Sequence, residues 1–585
     1  MAPTRPNILF LTIDALRTDR TGFLGYSRPT TPTLDNIAKS SIVCTQAVSN
    51  AAFSQPSLTS LFTSSLPLSH GGYDRGVGKR PKTIFGLFKD AGYSVNQITP
   101  YPSVSRYSGY LDETTRDNTL FTLNTIPSMT LAIIRETIAA FERDQINEAS
   151  LIEEAGPFVR TSFDAVKNYC DVRLDQKSRD KHDFKYSRLV NDGYDYRRVK
   201  KLVIQHEKQF NQDQTEYFQN HLVPFPGGNG WLARDWKYLR TPKTIVFEGL
   251  FRLSNLILNK FNPSLAKFRE YRFKRYVDCA DISKRIISLL EESADDKRPF
   301  FLWSHFFDTH VPYCAGRGPK WYKKTPDYLS ALGYNPSLDI SIGLKACPQN
   351  KQEWQSWSAL YDAAIRYVDD QLSNLMENLR RRGFLDNTIV IICGDHGEEL
   401  GEHGNISHHF LPYEHNIRVP MIFHGPGIAQ KTIDEFTSLL DVGPTMAALT
   451  GIDPDPSWEG KPVTDPSVND RDFQIVECFH GGNCLYTHRP LYIGVRTKTH
   501  KFFWKEYKDP TDKFSLDGHE LYDLTSDPEE TNNIYYEQHP AVLECLPIIA
   551  SRMADIPEIS NDRLVSNFNE LGHCVIRERN GRQKN

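Results

Sequence analysis

Long apolar runs are missing from this chain. No window of its 585 residues approaches the eighteen or so consecutive apolar residues that a membrane-spanning helix needs. The first apolar run, Asn7-Ile-Leu-Phe-Leu-Thr-Ile13, is too short for a signal sequence and ends in Asp14 rather than small residues. It reads as a core strand and not as a leader. The 10 cysteines contain no CxxC pair and no zinc-type spacing, which removes zinc ribbons and dithiol redox motifs. With no export signal beside them, reduced thiols and a cytoplasmic location are expected. Neither sign of charge dominates, since 69 Lys and Arg stand against 73 Asp and Glu, a net charge of −4. Neither nucleic acid nor an acidic membrane surface is therefore expected as a partner. Internal repeats and low-complexity segments are absent as well.

What is present is an ordinary globular composition, 39% hydrophobic and 24% charged. The length allows about three or four domains, or one large α/β domain carrying insertions. Strand-like apolar runs alternate with helical ones, the pattern of an α/β fold with a mainly parallel central sheet sandwiched by helices. Helical periodicity is read around Thr83–Ala91 and over Trp354–Arg382, the latter stopping at Gly383. Short strands are read at Pro299–Trp303, Thr388–Ile392 and Pro420–Phe423. Between Asn124 and Pro299 the chain turns charged, aromatic and helical. After Asp472 the runs Gln474–Val476, Tyr492–Val495 and Lys501–Trp504 suggest a small antiparallel sheet. The expected layout is an α/β domain formed by 1–123 and 300–470, a helical insertion or cap at 124–299, and a C-terminal α+β subdomain at 471–585.

The chemistry concentrates where strands end. The strand Thr388–Ile392 runs into Gly394-Asp395-His396-Gly397, and the first strand runs into Asp14. In an open α/β sheet ligands bind beyond the carboxyl ends of strands, so Asp14, Asp395 and His396 fall on one edge. Two carboxylates and an imidazole suit Ca, Mg or Mn, with Zn a further fit. Asp14 taken alone reads equally as a turn or N-cap residue. Ser54-Gln-Pro-Ser-Leu58 precedes apolar residues at helical spacing, with Pro56 suited to a first helical turn. Ser54 is then either a plain N-cap or a hydroxyl at a helix N-terminus, where negative charge is favoured. A third strand end carries His305, Asp308 and His310, and His408 and His409 follow the Asp-His loop.

Taken together these segments resemble the sulfatase family of the alkaline phosphatase superfamily. Asn7–Asp14 resembles its opening strand with a metal Asp, and Ser54–Ser64 its nucleophile helix. Asp308-Thr-His310-Val-Pro-Tyr313 resembles its substrate-contacting segment, and Gly394-Asp-His-Gly-Glu-Glu-Leu-Gly-Glu-His-Gly404 its second metal loop. The resemblance covers about 1–120 and 280–540. It implies one divalent metal held by Asp14, Asp395, His396 and Ser54, nucleophilic attack by Ser54, and His310 and His408 acting on the ester or its leaving oxygen. His305, Asp308 and His409 are expected beside the substrate, a small anionic ester such as a sulfated or phosphorylated sugar or a lipid head group.

The chain departs from the sulfatases proper in ways that bear on the reaction. Those enzymes carry Cys or Ser in a Cys/Ser-x-Pro-Ser-Arg motif whose first residue is oxidised to formylglycine. Here Leu58 stands at the Arg position that maturation enzymes read, which argues against conversion of Ser54. Ala15 replaces a second metal Asp, and Asn96-Gln-Ile-Thr-Pro-Tyr-Pro102 replaces a Gly-Lys-Trp-His segment. An unmodified hydroxyl beside a metal suits phosphoryl transfer, so the balance falls toward phosphate mono- or diesters. The alternatives are a sulfuric ester hydrolase if Ser54 is oxidised, a phospho-group transferase, and a catalytically silent binding protein. The basic cluster Arg197, Arg198, Lys200 and Lys201 reads as a solvated face or as the lining of an anion's entry. Gly249–Phe261 is amphipathic and suits contact with lipid or with a second copy in a homo-oligomer.

Overall fold

Alternation along β1 (Asn7–Ile13) explains the layering of the fold. Its residues Leu9, Leu11 and Ile13 enter one core with helices Cys279–Glu292 and Lys351–Arg381. Ile8 and Phe10 enter a second core with helices Ser54–Thr63, Ile84–Asp90 and Val442–Thr450. Successive strand side chains point to opposite faces, so a run that is apolar at every position has to be covered on both sides. The computed structural model describes residues 5–70, 81–100, 116–117, 123–142, 144, 146–179, 193–223, 231–261, 277–311, 313, 351–404, 406–408, 411–479, 491–506 and 518–554.

The further strands are β2 (Ser41–Val48), β3 (Ser94–Ile98), β4 (Arg116–Asp117), β5 (Phe300–Phe306), β6 (Thr388–Gly394), β7 (Glu399–Leu400), β8 (Ile406–Ser407), β9 (Met421–His424) and β10 (Lys431–Ser438). Eight of them form one sheet in the order β10-β2-β9-β6-β1-β5-β3-β4, and β7 pairs with β8. Every pairing in the large sheet is parallel except those of β9, which runs antiparallel to β2 and β6. The expected mainly parallel sheet between helices is what the chain forms. Register then places the site. Ile13 stands beside both Phe306 and Gly394, so the residues after β1, β5 and β6 leave the sheet side by side. β2 shares their direction and delivers helix Ser54–Thr63 to the same edge.

Helices Thr125–Glu142, Glu148–Arg179, Tyr196–Gln212 and Leu232–Trp236 close around a separate core that includes Phe163, Phe210, Trp231 and Trp236. The helix Pro242–Phe261 follows, and its Ile245, Val246, Leu250, Leu253, Leu256 and Ile257 are exposed. Arg197, Arg198 and Lys201 face solvent, and Lys200 pairs with Asp171 at 2.7 Å. Cys279–Glu292 differs from the expected layout. Its Ile282, Ile286 and Leu289 pack into the main core with Lys351–Arg381 rather than into the insertion.

The C-terminal antiparallel sheet consists of β11 (Phe473–Phe479), β12 (Leu491–Thr497), β13 (His500–Glu506) and β14 (Glu520–Asp523), in that order. One face packs on helix Pro540–Ala554, and the other on Val48, Ala52, Tyr413 and Ile417 of the main domain. Asn50 sits at this junction: its Nδ2 donates to Ile475 O at 2.9 Å, and its carbonyl accepts from Glu477 N at 2.9 Å. The subdomain thereby braces the loop that leads into Ser54.

Candidate active site

Four chain segments converge at the carboxyl edge of the sheet. Asp14 follows β1 and Asp395 follows β6, and both are fully buried. Asp395 Oδ1 accepts from Ala15 N and from His396 N, each at 2.9 Å. These two bonds lock the backbone after β6 to the loop after β1 and hold Ala15 at φ 52, a region sparsely used by residues other than glycine. Gly397 turns the chain next. A Cβ there would lie 1.8 Å from His415 O, so no larger residue fits.

His396 Nδ1 donates to Gly397 O at 2.7 Å. That bond leaves Nε2 without a proton, and Nε2 lies 2.9 Å from Ser54 Oγ, 3.5 Å from Asp395 Oδ2 and 3.8 Å from Asp14 Oδ1. Ser54 opens the helix Ser54–Thr63 and is buried. Ser57, one turn on, donates its hydroxyl to Asp395 O and receives Ser49 Oγ at 2.9 Å. Leu58 points away from the site into the core with Leu61 and Phe62.

Burial pushes both the Asp14 and the Asp395 carboxyl up, and the Asp395 charge adds to the rise at Asp14. Asp14 Oδ1 and Asp395 Oδ2 are buried and accept no hydrogen bond. Two unsatisfied carboxylate oxygens facing an unprotonated imidazole nitrogen are the donor set a divalent cation requires. The residues present fit such an ion.

His305 joins this group: one donor atom each from His305, Asp14 and Asp395 lies within 4.8 Å of the others. It is fully buried, with Nε2 3.0 Å from Asp14 Oδ2 and Nδ1 2.8 Å from Thr12 Oγ1. Asp308 turns aside, its Oδ2 accepting from Cys279 N at 2.9 Å at the start of helix Cys279–Glu292. Expected beside the substrate, it is buried and takes up a first-turn amide of that helix, whose N-cap is Asp278. Thr309 in the same turn donates to Asp14 O.

His310 and His408 do converge, with ring centroids 4.8 Å apart, and the His408 ring is 4.3 Å from that of His396. Burial holds His310 at about 4 and pushes His408 well below the ordinary imidazole value. His409 lies outside the described residues. Sequence reasoning passed over Glu398. It is fully buried, accepting from His408 Nδ1 at 2.8 Å through Oε2 and from the Tyr313 hydroxyl at 2.5 Å through Oε1. Its place three residues after Asp395 was a signal, but an acid in a polar loop has no distinctive spacing.

Residues 6–127 and 197–452 match the Sulfatase family, and residues 401–547 match the family described as N-sulphoglucosamine sulphohydrolase, C-terminal. The chain belongs to the sulfatase family of the alkaline phosphatase superfamily. A choline-sulfatase of Rhizobium meliloti is 29% identical over 270 residues, 43% of this chain and 49% of that protein. The chain spans about half the length of the curated relatives it matches. The yidJ protein of Bacteroides fragilis superposes with a TM-score of 0.55 at 18% identity, covering 96% of this chain and 97% of that one. The phosphonate monoester hydrolase of Agrobacterium radiobacter does so with a TM-score of 0.51 at 14% identity, covering 96% and 97%. At these identities the likeness is one of fold.

Proposed function

We propose that this chain is a metal-dependent hydrolase of small anionic esters, with Ser54 as an unmodified nucleophile and phosphate esters as the preferred class. The carrying observation is the pair Ser54 and Leu58: the hydroxyl faces Asp14, Asp395 and His396, while the position that would be Arg is apolar and packed in the core. A divalent ion held by Asp14, Asp395, His396 and Ser54 would neutralise the ester's charge and favour the serine alkoxide. The hard, oxygen-rich donors suit Ca, Mg or Mn.

His396 Nε2 and Ser54 Oγ lie 2.9 Å apart, close enough for both to reach one ion. Ser54 stands at the N-terminal end of helix Ser54–Thr63, where developing negative charge is favoured. Attack forms an Oγ–P bond and breaks the P–O bond to the alcohol, and the proton that Ser54 gives up is relayed to the departing oxygen by the unprotonated Nε2 of His408 or His310. Water then attacks the seryl ester, the Oγ–P bond breaks, and one water proton returns to Ser54. Glu398 holds His408 by Nδ1, which leaves Nε2 for the leaving oxygen. Glu398→Gln is expected to lower kcat about 100-fold, the size of a general-acid contribution, with metal content unchanged. Loss of metal along with turnover would move Glu398 to the metal shell.

Sulfate esters are the second reading, supported by the names of the curated relatives. Peptide mass spectrometry across Ser54, on protein from the native host, separates the two. An intact serine is expected. Loss of two hydrogens there would mean formylglycine and a sulfuric ester hydrolase. The described cysteines Cys44, Cys279, Cys393, Cys478 and Cys545 are free and buried, which supports a reducing, cytoplasmic setting. Among the described residues no helix is long and apolar enough to cross a membrane.

A further inference from the structure

Within the helical insertion, far along the chain from the sheet-edge site, a second group of ligating side chains comes together. His206 lies on helix Tyr196–Gln212, His221 on the π-helical turn Phe218–Leu222, and Asp235 on helix Leu232–Trp236. One donor atom from each lies within 4.8 Å of the others. We propose that His206, His221 and Asp235 bind a zinc ion that staples these three segments of the insertion together.

Three observations carry the proposal. His206 Nε2 is 3.3 Å from Asp235 Oδ2, long for a charge-assisted hydrogen bond, which runs about 2.7–2.9 Å. It matches the edge of a tetrahedron built on metal–ligand bonds of roughly 2.0 Å, which is about 3.3 Å. The second observation is His221, whose buried Nδ1 has no hydrogen-bond partner. A buried ring nitrogen of that kind is rarely left unsatisfied.

The third is the support around the donors. Tyr217 stacks on His221 at 4.5 Å and places its hydroxyl 2.9 Å from His206 Nδ1, while Trp231 Nε1 fixes that hydroxyl at 2.8 Å. Metal-ligating histidines are held in this way through the nitrogen remote from the ion. An ion at Nε2 selects the tautomer that carries its proton on Nδ1, against the phenol oxygen. Arg234 Nε engages Asp235 Oδ1 at 3.1 Å, which leaves Oδ2 for the ion. The π-helical turn is a further pointer, since such turns gather at functional places.

Two imidazoles and one carboxylate form a nitrogen-rich set that favours zinc, unlike the carboxylate-rich sheet-edge site. His221 and Asp235 are partly exposed, so water completes the fourth position.

The test is zinc stoichiometry on the full chain, stripped with chelator, dialysed against a limited zinc salt and read by mass spectrometry of the metal. His221→Gln and Asp235→Asn should each retain one equivalent of zinc fewer than the native chain. Asp395→Ala should keep that equivalent, which separates the two sites. His221 is partly exposed and Gln keeps much of its volume, so His221→Gln should leave the circular dichroism unchanged. Zinc should also raise the melting temperature of Asp395→Ala but not of Asp395→Ala combined with His221→Gln. Equal zinc retention by the native chain and His221→Gln, or equal melting shifts in those two Asp395→Ala proteins, would overturn the proposal.

Discussion

Asp395→Ala is expected to abolish metal retention and ester turnover together. Its Oδ2 is one of two buried carboxylate oxygens left without a hydrogen bond, and its Oδ1 fixes both Ala15 and His396. The substitution therefore removes a ligand and frees the backbone that aims a second one. An ion's stabilisation of transition-state charge amounts to several kcal/mol, so turnover should fall on the order of 1,000-fold or more. Metal content and hydrolysis of a phosphodiester series, measured on the same preparation, check this. Full turnover in the variant would sink the site assignment.

The neighbouring histidine provides the contrast. His310→Ala should slow turnover while metal stays bound, because the His310 ring packs on Phe307 and His408 and its Nδ1 is taken by Val311 O. Stability supplies an independent check. Burial raises both carboxyls, and each charge opposes the other at Asp14. In chelator, Asp395→Asn should therefore melt no lower than the native chain, since it removes one of two confined acids and keeps their volume. With metal added, the order should reverse.

Much of this site was legible in the chain because strand ends are legible. The fully apolar runs of β1 and β6 stop abruptly at Asp14 and at Asp395, and parallel topology puts such stops on one edge. Helix Lys351–Arg381 was read closely for the same kind of reason, as an amphipathic period with Gly383 behind it. Asp308 was misread because an acid after a strand suits a substrate contact and a bond to a helix's first-turn amide equally, and only the path of the chain decides. Helical period likewise says that Cys279–Glu292 has one apolar face but not which core receives it. Glu398 acts through His408, and an interaction across the Asp395–His408 loop has no local periodicity. The three ligands proposed in the insertion are similarly separated in sequence and meet only through packing around Tyr217.

The largest effect on stability is expected at Arg17, which ties the first loop to the metal loop. Its guanidinium is 3% exposed and reaches Asp19 Oδ2 at 2.6 Å, Glu402 Oε1 at 2.6 Å and Glu398 O at 2.9 Å. Asp19 is 54% exposed and Glu402 20%, so solvent screens much of the charge left behind, and the loss is about 1.5–3 kcal/mol, the size of a charge-assisted hydrogen bond. Arg17→Ala should lower the unfolding free energy obtained from denaturant titration by that amount at pH 7. Arg17→Lys should recover only part of it, because an ammonium cannot reproduce the fork to Asp19 and Glu402. Burial pushes the Glu402 carboxyl up, but Arg17 outweighs it and holds the group at about 2, below its ordinary 4.5. A depressed carboxyl contributes stability that is fully present above 4.5 and lost as pH falls through 2. The gap between the native chain and Arg17→Ala should therefore narrow across that window. A gap that stays constant from pH 7 down to pH 3 would assign the effect to lost packing of the arginine stem rather than to its charge.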